Sequence, residues 1–143
     1  MRTILILSCC LAPIWLTGCV SSSTSEYPEY AGSGGMTQWD IQPQAYLYHY
    51  EHGFNGVDSL GYAAALQTVW SRLGAAITCG IEYDKPYMIQ QLMQTFDEQA
   101  ITHELNGIGF HRIQSRKVPQ FCNEWRVREI HTALRRYRQG WFE

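Results

Sequence analysis

Acid–base or metal chemistry needs histidines, carboxylates or thiolates brought together, and this chain of 143 residues holds five histidines, thirteen acidic residues and five cysteines. His103-Glu104 starts like a zinc-binding HExxH helix, but Gly107 stands where the second histidine would be. His49 and His52 have i, i+3 spacing and could share a helix face, yet no clear third ligand accompanies them. The carboxylate pairs Asp97-Glu98 and Glu82 with Asp84 stand at expected helix starts, where capping and dipole matching explain them more simply than acid–base work. His103, His111 and His131 read as solvated or hydrogen-bonded structural residues. There is no GxSxG elbow, and Gly32, Gly34 and Gly35 are not followed by the GK[ST] of a phosphate loop. Cys79 and Cys122 lack the close CxxC spacing of redox and zinc sites. We therefore expect no enzyme, no cofactor and no metal.

The elements that would position any site are helices. With 45% hydrophobic and 13% aromatic residues, the chain has the make-up of one compact domain. A helix is expected from Asp58 to Gly80, with Tyr62, Ala63, Leu66, Val69, Trp70, Leu73 and Ile77 in one buried stripe. A second starts at Asp84, with Pro86 in its first turn and Met88, Ile89, Leu92, Met93 and Phe96 on one side. Ile101 falls out of phase with Leu92, so a kink or new helix is expected near Asp97, running to Asn106-Gly107. A short helical piece around Phe110 to Gln114 follows, and Pro119 opens the last helix, with Val127, Ile130, Leu134, Tyr137 and Trp141 as a narrow seam. The fold class is mainly α: a small disulfide-clipped bundle of three to five helices after a flexible tether.

The start of the chain has the layout of an export signal: Met1-Arg2, an apolar run from Ile4 to Trp15 and then Leu16-Thr17-Gly18-Cys19. The whole apolar run, Ile4 to Leu16, is too short to span a bilayer comfortably. These four residues match the lipobox at every position, and here the chain resembles the bacterial lipoprotein precursors. The resemblance implies cleavage after Gly18 and lipid on Cys19. With Val20 rather than Asp following, it implies an outer-membrane address facing the periplasm. Residues 1–18 are then the signal peptide. Cys9 and Cys10 leave with it and Cys19 carries lipid, so Cys79 and Cys122 remain as a pair in an oxidising compartment and are expected to form a disulfide.

Residues 19–35, dominated after Val20 by Ser, Gly, Thr and Pro, read as the tether. Residues 36–57 are aromatic-rich; Tyr46, Tyr48 and Tyr50 alternate with Leu47, His49 and Glu51, which predicts an extended segment. It either packs over the helices or presents its rings to a partner. Residues 58–143 form the helical domain.

The net charge of −2 hides a split. From residue 111 onward eight Lys and Arg face three acids, whereas residues 19–110 carry two bases against ten acids. Pairing between the two halves is the commoner outcome of such a pattern, with a basic face for an anionic partner as the alternative. Glu124 and Glu129 interrupt the bases of the last helix and read as its charge partners, which argues against nucleic-acid binding. Phe121 and Trp125 fall outside the Val127–Trp141 seam, alongside Arg128, Arg135 and Arg136. They either cover the disulfide or form an aromatic and arginine surface of the kind interface hot spots favour.

In size, lipid anchor, helical content and single disulfide the chain resembles the pilotin lipoproteins of secretion systems and type IV pili. That layout implies an envelope protein as partner, a secretin or other secretion-system subunit, captured in a groove between the two longest helices. Trp70, Phe121, Trp125, Arg128 and Arg135 are the expected partner-binding residues, and the membrane is reached through the N-terminal lipid. The alternatives are a ligand- or envelope-polymer-binding lipoprotein using an aromatic pocket between Trp39, the Tyr46 to Tyr50 segment and the bundle, an uncharted hydrolase in that pocket, or a conjugation or exclusion subunit.

Overall fold

Six helices make up the regular structure of the computed structural model, which describes residues 30–37, 40–59, 61 and 63–142: α1 (Pro43–His52), α2 (Ala64–Thr78), α3 (Lys85–Thr95), α4 (Glu98–His103), α5 (Gly107–Lys117) and α6 (Glu124–Tyr137). There is no strand among the described residues. The expected signal peptide, Cys19 and most of the expected tether lie outside them, as do Trp39 and Tyr62.

The centre of the bundle is α2, whose Leu66, Val69, Trp70 and Leu73 are buried as their spacing predicts. Its closest neighbour is α5. At their crossing Gly74 leaves no room for a side chain: a Cβ there would lie 2.6 Å from the Arg112 amide nitrogen and 2.8 Å from the Ile108 carbonyl oxygen. Glycine thus lets two backbones meet, and α1 and α6 then close over α5 and α2 respectively. Ile130, Leu134 and Tyr137 of α6 complete the core as the predicted seam, and Met88, Leu92 and Ile101 bury α3 and α4. Each such apolar side chain, fully buried, contributes roughly 1.5–3 kcal/mol before conformational entropy is counted.

Caps explain several boundaries. Asp84 accepts from the Tyr87 amide at 3.0 Å, Asp97 from Gln99 at 2.8 Å, and Asn123 from Arg126 at 2.9 Å, so these side chains start α3, α4 and α6. Asp84 and Asp97 are thereby occupied as capping groups.

Several expectations change. The segment 36–57 is not extended: Pro43 opens α1, and Ala45, Tyr46, His49 and Tyr50 are buried at helical spacing. Six helices stand in place of three to five, α1 being one that was not foreseen. Folded structure begins within the expected tether, since Tyr30 packs edge-on against Tyr48 at 5.1 Å and its hydroxyl donates to Asp58 at 2.7 Å. Met36 and Ile41, both buried, pair across an antiparallel bridge ahead of α1. The next helix begins at Ala64 rather than Asp58, after a stretch in which Gly53, Gly56 and Gly61 hold positive φ. Pro119 belongs to the turn before α6, not to its first residues. Ile77 is 38% and Trp141 62% exposed; Phe142 takes the core position instead, stacked on Tyr137 at 5.2 Å.

Candidate partner-binding groove

The Cys79–Cys122 and Arg72–Glu129 contacts, which pair falling with rising residue number, set the two longest helices, α2 and α6, antiparallel. The Cys79–Cys122 disulfide joins the end of α2 to the turn before α6, with Cα atoms 5.4 Å apart. Along the pair, Arg72 meets Glu129, its Nε donating to Oε1 at 2.9 Å. Between these helices lies an open groove of about 480 Å³, lined by Thr68 and Arg72 from α2 and by Trp125, Arg128, Glu129, Thr132, Ala133, Arg136 and Tyr137 from α6.

Behind the groove is a compact charged and aromatic cluster. Glu129 accepts from Arg72 on Oε1 and, at 2.9 Å, from the Tyr50 hydroxyl on Oε2, and Arg126 Nη1 lies 3.6 Å from the same Oε2. The Arg72 and Arg126 guanidiniums stack on the Tyr50 ring, 4.0 and 4.4 Å from its centroid. Arg126 is 3% exposed, hydrogen-bonds Glu51 of α1 through Nη2, and also stacks on Trp125 at 4.7 Å and Phe121 at 5.0 Å. Burial raises the pKa of Tyr50 above the usual phenol range and pushes Tyr137 up to about 12. Burial opposes the charge on Arg72, but Tyr50, Glu129 and Tyr137 outweigh it and hold the guanidinium protonated. The sequence's charge split is thus partly settled by internal pairing: Arg126 with Glu51 across the halves, and Glu124 with Arg128 at 3.6 Å within α6.

The expected site residues separate into three groups. Trp125, 55% exposed, and Arg128 line the groove. Arg135 is exposed outside it and donates to the Thr132 hydroxyl at 3.0 Å. Trp70 and Phe121 are not surface residues, at 2% and 5% exposure. Trp70 donates from its indole to the buried Glu104 at 3.2 Å and fills the space beside Gly107, whose added Cβ would sit 2.5 Å from the ring. Phe121 lies edge-on to Tyr50 at 5.1 Å, so its role is the core beside the disulfide. Arg72, Arg126, Glu129 and Arg136 complete the site and were not singled out as a cluster. As the one charged residue of α2, flanking its apolar stripe, Arg72 was itself the available signal, since a cation at the edge of a packed face needs a partner across the interface.

Of the segment expected to line an aromatic pocket, Tyr46 and Tyr50 are fully buried, and Trp39, its other expected wall, lies outside the described residues. Tyr46 approaches His111 Nδ1 at 3.2 Å, and His111 Nε2 bonds Gln67 at 2.8 Å. Burial, with the Arg72 charge adding to it, lowers His111 to about 3 and keeps it neutral. His49 bonds the Gly53 carbonyl and His52 the Tyr48 carbonyl, at 3.1 and 2.9 Å. Among the described residues no group of three His, Cys, Asp or Glu is placed to hold a metal, and no helix is long and apolar enough to cross a membrane. No family model matches the sequence, and no curated protein or solved structure shows a match to it.

Proposed function

We propose that this chain is a lipid-anchored periplasmic module of the outer membrane that holds a segment of another envelope protein in the α2–α6 groove, as an assembly factor of pilotin type. The observation that carries the reading is Trp125. A tryptophan left more than half exposed, backed by a buried guanidinium and flanked by Arg128, has the composition of an interface hot spot. The surrounding framework supports the same role: a disulfide and an interhelical ion pair fix the walls, so little ordering is left for a client to impose. The lipobox supports the anchor, since several acyl chains on Cys19 would hold the domain at the membrane at ~0.8 kcal/mol per buried methylene.

The test is affinity purification of the tagged full chain from membranes in mild detergent, beside Cys19→Ala and Trp125→Ala forms. The reading requires a stoichiometric envelope protein that is retained by the wild type, lost with Trp125→Ala and mislocalised with Cys19→Ala. Recovery of the lipidated chain alone would overturn it.

A further inference from the structure

The charge of the groove specifies what kind of segment it takes, an inference that rests on the docking role proposed above. Three arginines line it, and a fourth, Arg126, stacks behind Trp125. The one carboxylate in the lining, Glu129, is already engaged by Arg72 and Tyr50 at 2.9 Å, with Arg126 at 3.6 Å. Arg128 meets only Glu124, at 3.6 Å in a pair 69% and 94% exposed, where water competes strongly. Arg136 has no acidic partner among the described residues. Two guanidinium forks at the groove are therefore available, and a carboxylate is the group such forks bind in bidentate fashion.

We propose that the occupant is an acidic peptide segment of another envelope protein, with carboxylates on Arg128 and Arg136 and an apolar or aromatic side chain laid on Trp125. A peptide fits better than a phosphate-rich surface. Trp125 and Ala133 place apolar surface among the arginines that a peptide side chain can cover, whereas a phosphate array would use the cations alone.

The test places a photo-crosslinking amino acid at Thr132, inside the groove, and in a second chain at Arg135, outside it, in the full-length protein in its native cells. The crosslinked segment is then identified by mass spectrometry. The expected result is one protein segment of net negative charge, captured from position 132 and not from 135. The purified partner should then bind the Arg128→Gln/Arg136→Gln form about tenfold more weakly at low salt, with the Arg135→Gln form near wild type. Arg128 and Arg136 are both exposed, so the double variant should melt like the wild type. A neutral or basic crosslinked segment, or retention insensitive to the double variant, would overturn the charge inference and leave the docking role standing. Crosslinks to lipid alone, or none from 132, would overturn both.

Discussion

Arg72 on α2 donates to Glu129 on α6 at 2.9 Å, in a pair whose side chains are only 13% and 22% exposed, and this contact ties the groove walls together along their length. Glu129 also anchors the Tyr50 hydroxyl and lies close to Arg126, so its removal leaves two mostly buried cations without it. Breaking such a pair from one side costs more than the pair contributes, because the orphaned charge stays desolvated. Glu129→Ala should lower the unfolding free energy in urea by about 3 kcal/mol. Tyr50→Phe, which removes one hydrogen bond, should lower it by ~1 kcal/mol, and the exposed Glu124→Ala by less than ~0.5 kcal/mol. Equal effects at positions 124 and 129 would refute the account.

The α2–α5 crossing depends on a missing methyl group. A Cβ at Gly74 would meet backbone atoms of α5 at 2.6 to 2.9 Å, and backbone cannot rotate away as a flexible side chain can. Although alanine is the better helix former by ~1 kcal/mol, Gly74→Ala should destabilise by roughly 2–3 kcal/mol through overpacking. Gly109→Ala has open space at its Cβ and should be neutral or stabilising in the same thermal melts. The contrast between the two glycines is the measurement.

Where burial follows a single helical stripe, the sequence was legible. Leu66, Val69, Trp70 and Leu73 of α2 and Ile130, Leu134 and Tyr137 of α6 repeat at helical spacing and are buried as expected, and the Asp84 and Asp97 caps mark real starts. By contrast, α1 was hidden because Tyr46, Tyr48 and Tyr50 alternate as a strand would, while the buried set is Ala45, Tyr46, His49 and Tyr50. For α5 the cue misled: Gly107 reads as a stop, yet it is the first residue of the helix, and the Trp70 ring that occupies the space of a Cβ is what requires glycine there. Trp70 and Phe121 could not be told from Trp125 by type, since only tertiary packing decides which aromatic stays outside. The Arg72–Glu129 and Arg126–Glu51 pairs join residues 57 and 75 positions apart, beyond any periodicity.

The disulfide closes a separation of 43 residues between the end of α2 and the turn before α6. Constraining that loop in the unfolded chain is worth about 4 kcal/mol in the chain-entropy model. Cys79→Ser/Cys122→Ser should therefore unfold at markedly lower urea, and the wild type in strong reductant should follow it. If reduction leaves the unfolding midpoint unchanged, the clip does not stabilise the bundle.

Trp125 and Trp70 differ in burial, 55% against 2% exposed, and their truncations should separate binding from folding. Trp125→Ala loses a stacked guanidinium and little else, so its stability cost should be ~1 kcal/mol or less, while partner binding weakens by about 30-fold, a typical hot-spot loss. Trp70→Ala should cost roughly 3–5 kcal/mol of stability through the cavity it leaves and the donor it takes from Glu104. Isothermal titration alongside urea unfolding distinguishes the two, and a Trp125→Ala protein with wild-type affinity would remove the groove from consideration.

His111 gives the fold a pH dependence whose sign follows from its burial. Its folded pKa is lowered to about 3, chiefly by desolvation and further by the Arg72 charge, whereas the unfolded chain titrates near the ordinary value of 6.5. Between those values the unfolded state binds a proton that the folded state refuses. The neutral imidazole's contribution is therefore complete above pH 6.5 and declines as pH falls toward 3, by about 1.4 kcal/mol per unit. From about pH 7.5 to about pH 5 this one group should remove ~2 kcal/mol from the unfolding free energy. His111→Gln keeps hydrogen-bonding capacity toward Tyr46 and Gln67 but cannot take up a proton. It should start less stable than the wild type, yet lose ~2 kcal/mol less over the same pH interval, the carboxylate contributions being common to both proteins. Identical losses in the two would mean that the folded imidazole accepts its proton near the ordinary value, so that the Tyr46–His111–Gln67 contacts would have to open to admit a charge.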